Sequence, residues 1–132
     1  MFMKDQVLSI EQMQHLKKLG VDTSKAYFFY GKTNACFDFE IMMDYPCYKD
    51  RKFITDAVPA FTFLDMLEMM PNTIEVNESE CNLCIFFHED GVSIYYEDDY
   101  DEQPAFFCED SILESAYNML CWLAENGYLN KK

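Results

Sequence analysis

Basic residues are what this chain runs short of. It has ten Lys and Arg against 24 Asp and Glu, and none of the ten falls between Lys52 and Lys131. Binding to nucleic acid requires Lys and Arg to neutralise phosphates, so direct nucleic-acid binding through that stretch is excluded. Attraction to an anionic membrane surface is excluded on the same ground. Glycine is scarce as well, with four in 132 residues. A Gly-rich loop that cradles phosphate therefore has nowhere to form, and no P-loop is present. Histidine is limited to His15 and His88. No His-Glu-x-x-His motif and no Gly-x-Ser-x-Gly elbow exists. No apolar run approaches the roughly 18 residues that span a bilayer. The N-terminus, Met1-Phe2-Met3-Lys4-Asp5, leads into a polar segment with no apolar leader core. These absences predict a cytoplasmic protein without enzymatic activity, without a cofactor and without a membrane partner.

What is present is apolar and acidic. Half of the residues are hydrophobic and 17% are aromatic. A single domain of this length and content can bury a real core. The net charge of -14 is unevenly spread. Residues 1–60 hold eight acids and eight bases, whereas residues 61–132 hold sixteen acids and two bases. Such a field speeds encounter with a basic surface, and it also keeps an aromatic-rich domain soluble.

Periodicity and punctuation predict an α+β fold. An antiparallel sheet of about four to six strands packs with about three helices. The first helix spans residues 9–20, opened by a Ser9/Gln12 capping box and stopped by Gly20. The second spans 63–70, with Thr62 and Asp65 at its start and Pro71 at its end. The third spans 112–126, with Ser111 and Glu114 at its start and Gly127 at its end. Strands are expected near 26–30, joined through residues 31–34 to 35–43, and at 73–76, 82–88, 92–97 and 105–108. Residues 44–56 read as a loop that carries the basic cluster Lys49, Arg51 and Lys52. The hairpin 82–97 turns at Glu89-Asp90-Gly91, where Gly91 offers positive φ. The unbroken apolar run 83–87 suggests a central strand covered on both faces. No domain boundary is visible.

Chemistry-bearing constellations are few. Cys81-Asn82-Leu83-Cys84 has half-site spacing for zinc or redox chemistry, but structural zinc needs four ligands and the pair enters a strand. Cys36, Cys47 and Cys108 are scattered, so buried thiols are the simpler reading. Glu97-Asp98-Asp99-Tyr100-Asp101-Glu102 is the densest acidic run. An EF-hand frame from Asp99 places Pro104 where Gly is required and Asp110 where Glu is required, so that frame fails. Tyr95, Tyr96 and Tyr100 interleave with these acids, and aromatic anchors in a charged surround suit a protein interface. Ile94 and Tyr96 are expected to alternate into the core. The partner-binding residues expected are Glu97, Asp98, Asp99, Tyr100, Asp101 and Glu102, with Glu89 and Asp90 at the hairpin tip.

Three stretches carry a resemblance. They are Val7-Leu8-Ser9-Ile10-Glu11-Gln12-Met13 through Gly20-Val21-Asp22-Thr23-Ser24-Lys25-Ala26, residues 58–71, and Ser111-Ile112-Leu113-Glu114-Ser115-Ala116-Tyr117 through Gly127-Tyr128-Leu129. Together they resemble small, acidic, uncharacterised proteins of bacterial prophages and mobile elements. The likeness covers most of the chain, departs most over residues 27–57, and rests on helix caps, stripes and stops. It implies a phage accessory role, such as blocking a host defence enzyme. The charge and the spacing of the carboxylates add the expected partner, a protein with a basic surface such as a nucleic-acid-handling enzyme, bound by imitating nucleic acid. The same physics fits an immunity protein against a basic toxin, and an assembly role is a further alternative. The oligomeric state is left open.

Overall fold

The structure is a computed structural model that describes residues 6–33, 36–43 and 54–129. The chain divides into two compact units, Met1–Asp65 and Met66–Lys132. The basic cluster Lys49, Arg51 and Lys52, together with Cys47, lies outside the described residues.

In the first unit, α1 spans Ile10–Lys18. Its start is the expected capping box. Ser9 Oγ accepts from the Gln12 backbone N–H at 3.1 Å, and Gln12 Oε1 accepts from the Ser9 N–H at 3.0 Å. Two orphan donors of the first turn are thereby satisfied. Its end is a Schellman motif around Gly20, whose φ is +91°. Gly20 N–H donates to Lys17 C=O and Val21 N–H to Leu16 C=O, each at 3.0 Å. Met13 and Leu16 are the buried face of the helix.

Three strands follow, β1 (Phe28–Thr33), β2 (Cys36–Met43) and β3 (Ile54–Ala60), in the order β2-β1-β3 and all antiparallel. Two expectations need correction here. Residues 31–33 continue β1 instead of forming a connection, with a register shift between Gly31 and Thr33. Residues 54–56, read as loop, open β3. Pro59 hides that strand from a sequence reading, but β3 is an edge strand, where a missing N–H costs no ladder bond. α1 packs against β3. The Leu8 N–H donates to Phe61 C=O at 3.0 Å, and the Tyr30 hydroxyl donates to Leu8 C=O at 2.8 Å. These bonds tie the segment before α1 to the sheet.

α2 (Phe63–Met69) contains the division between the units. Thr62 and Asp65 form a full reciprocal cap, at 2.9 and 3.1 Å.

The second unit is a four-stranded antiparallel meander backed by one helix. Its strands are β4 (Thr73–Val76), β5 (Ser79–His88), β6 (Gly91–Glu97) and β7 (Ala105–Glu109), in sequence order. α3 (Ile112–Glu125) packs across β6 and β7. Ser111 Oγ accepts from the Glu114 N–H at its start, and Gly127, at φ +79°, follows its end. Ile94 and Tyr96 are fully buried, as their alternation predicts, together with Ala116, Met119, Leu120 and Leu123 of α3.

The α+β class, the antiparallel pairing and three helices among the described residues agree with the sequence reading. The strands form two sheets, of three and four strands. Gly91 corrects a detail. Its φ is not positive, and its value lies in close approach, because a Cβ there would stand 2.7 Å from Glu109 O. Among the described residues no helix is long and apolar enough to cross a membrane.

Candidate functional site

The acidic connection between β6 and β7 is an ordered loop built on Asp98. Its Oδ1 accepts from the Tyr100 N–H at 2.8 Å and from the Glu102 N–H at 2.9 Å. The Asp98 N–H donates in turn to Glu102 C=O at 3.0 Å. Asp101 sits at φ +66°, a conformation Asp tolerates better than most residues. Asp98 is therefore the post that shapes the loop. Asp99, Tyr100, Asp101 and Glu102 point outward, with Tyr100 81% exposed. Glu97 ends β6 and receives the Gln103 amide at 3.5 Å.

Glu89 and Asp90 form the two-residue turn between β5 and β6, closed by the His88–Gly91 pair. Seven residues of β6 separate this tip from the loop, roughly 20 Å along the strand. The eight expected contact residues thus occupy two poles of one sheet, not one patch. The loop pole also holds the Asn77-Glu78 turn. A cleft of about 290 Å³ lies between that turn and the loop, lined by Asn77, Cys81, Asp98 and Glu102 among others.

The two cysteines of the Cys-x-x-Cys segment do not form one site. Residues three apart on a strand point to opposite faces. Cys81 is buried on the side of the sheet that carries Ile94 and Tyr96, and Cys84 is half-buried on the other side. Burial pushes both thiols up, and the nearby carboxylates of Asp98 and Glu97 respectively push the same way. Both therefore stay protonated at neutral pH, which is unlike a reactive thiolate. On α3, burial and the Cys121 thiol hold the Tyr117 hydroxyl up at about 12. His15 is exposed on α1. His88 Nε2 hydrogen-bonds Ser93 Oγ, and Ser93 is fully buried, so the pair is a structural tie and not an accessible nucleophile.

One feature escaped the sequence reading. The run 83–87 does belong to a central strand, but neither side of β5 is fully covered there. On the helix-free side Phe86 is 55% exposed and Phe106 is 47% exposed, and Phe87, opposite Val92 on the helix side, is 67% exposed. The helix-free side of the sheet has a graded order. Glu75 lies opposite Glu80, then Thr73 opposite Asn82 opposite Glu97. Next comes Cys84 opposite Tyr95 opposite Phe106, then Phe86 opposite Ser93 opposite Cys108. Tyr95 and Phe106 have ring centroids 5.4 Å apart, and Phe86 meets His88 edge-on at 4.7 Å. Reading β5 as open at this end would have required knowing that α3 packs chiefly on β6 and β7.

Comparison of the chain with family models, with curated proteins and with solved structures found no match.

Proposed function

We propose that the protein is a binding module that docks on a basic surface of a nucleic-acid-handling protein and inhibits it. The role is that of a phage-type accessory protein, acting as an anti-defence factor or nucleic-acid mimic. The observation that carries this reading is the charge of the second unit: residues 66–129 hold fifteen acids and no Lys or Arg. A compact, base-free acidic unit steers a basic partner from a distance and repels nucleic acid and acidic proteins. Tyr100 supports the reading at the loop pole, since an aromatic ring held outward among carboxylates supplies apolar contact that charge alone lacks. Glu89 and Asp90 would give a second acidic contact at the far end of the same sheet.

The test reverses three outward acids, Asp99→Lys, Asp101→Lys and Glu102→Lys, and leaves Asp98 in place to keep the loop. Tagged wild type and variant are used as bait in a nuclease-treated bacterial lysate at low and high salt. The wild type is expected to retain a basic nucleic-acid enzyme at low salt and release it at high salt. The variant is expected to associate about tenfold more slowly and with weaker salt dependence. Equal capture by both baits would overturn the role given to the loop.

A further inference from the structure

We propose that the helix-free side of the second sheet, between its two acidic poles, is a docking surface for a basic partner that presents arginine. The proposal rests on the functional reading above and names the surface and the side chain recognised. Three observations carry it.

The first is exposure. α3 covers the side that holds Ile94 and Tyr96, whereas Phe86, Phe106, His88 and Cys108 on the other side are exposed. Such an aromatic strip is expensive to leave in water and marks an interface when it is contiguous. The second is order along the strands. The strip runs through the rung of Thr73, Asn82 and Glu97 to the carboxylates of Glu75 and Glu80. Glu75 and Glu80 face each other directly across β4 and β5, and like charges so placed are destabilising. A partner cation set between them removes that repulsion. The third is the junction of the two zones. The Tyr95 and Phe106 rings lie side by side, tilted by 33°, and Glu97 lies two residues along the same strand and face. A planar guanidinium laid on the Tyr95 or Phe106 ring reaches the Glu97 carboxylate with its N–H groups, and arginine makes both contacts better than lysine does.

Charge complementarity also decides the occupant. A second copy offers this face either a base-free acidic unit or a first unit whose charges balance over residues 1–60. Neither supplies the excess of cations that the acidic rungs call for.

The experiment uses the full chain, isotope-labelled, titrated with an arginine hexapeptide and separately with a lysine hexapeptide at low salt. The expected result is amide shifts at Cys84, Tyr95, Glu97 and Phe106, with the arginine peptide binding about threefold or more tighter than the lysine peptide. The preference is expected to vanish in Tyr95→Ser/Phe106→Ser, while the wild-type shift map stands without any variant. Equal affinity of the two peptides, with shifts confined to residues 98–102 and 89–90, would overturn the docking face and leave the basic-partner reading intact. Binding of neither peptide would overturn both. Shifts on this face that grow with protein concentration alone would replace the basic partner by a second copy.

Discussion

Ser115 shows how one small side chain can decide a local structure. It is fully buried on α3, where its hydroxyl donates to Val92 C=O at 2.6 Å and accepts from the Glu109 N–H at 2.9 Å. Val92 and Glu109 are cross-strand partners at the end of β6 and β7. The hydroxyl thus bridges that pair and pins the helix to both strands. A Ser115→Ala variant leaves the part-buried Glu109 N–H and Val92 C=O without this partner. Stability should fall by about 1–3 kcal/mol, read as a lower urea midpoint at unchanged slope. A change below about 0.5 kcal/mol would mean that water replaces the hydroxyl there. Gly91 belongs to the same corner, since a Cβ there would stand only 2.7 Å from Glu109 O. Neither role is written in local sequence. Ser115 reads as an ordinary helix serine until the strands beneath it are known, and Gly91 reads as a turn glycine.

At the scale of elements, what was legible is what is local. The Ser9/Gln12 and Thr62/Asp65 boxes form as spaced, because a cap involves four consecutive residues. The strand Thr73–Val76 has the expected bounds, and Gly20 and Gly127 stop their helices with positive φ. What was hidden depends on neighbours distant in sequence: the edge position that lets β3 keep Pro59, and the packing of α3 chiefly on β6 and β7, which leaves Phe87 of β5 exposed. The acidic loop was visible from composition, but the role of Asp98 as its post was not, because it depends on where Tyr100 and Glu102 turn their N–H groups. The β4–β5 turn was also missed, and it supplies a prediction. Asn77 and Glu78 have φ of +52° and +69°, the mirror-image turn whose twist suits a hairpin. Asn is at home there, but Glu pays a steric penalty that Gly would not. Glu78→Gly is expected to stabilise the fold by up to about 1 kcal/mol, seen as a higher thermal midpoint. A lower midpoint would show that Glu78 makes a contact worth more than the backbone relief.

At the scale of the whole molecule, one charge distribution is expected to produce two opposite salt effects. The fifteen acids of residues 66–129 have no basic residue among them, so folding gathers like charges that the unfolded chain keeps further apart. Added salt screens them, with a Debye length that falls from about 10 Å at 0.1 M to about 3 Å at 1 M. The thermal midpoint of the free protein should therefore rise as sodium chloride is increased over this range. The same screening removes the attraction that draws a basic partner, so the association rate with that partner should fall over the same range. Salt that stabilises the protein while weakening its complex separates a charged docking surface from general salting-out, which would strengthen both. A midpoint indifferent to salt would mean that the acids at the two poles lie too far apart to repel one another appreciably. An association rate indifferent to salt would mean that the aromatic strip, and not the field, brings the partner in.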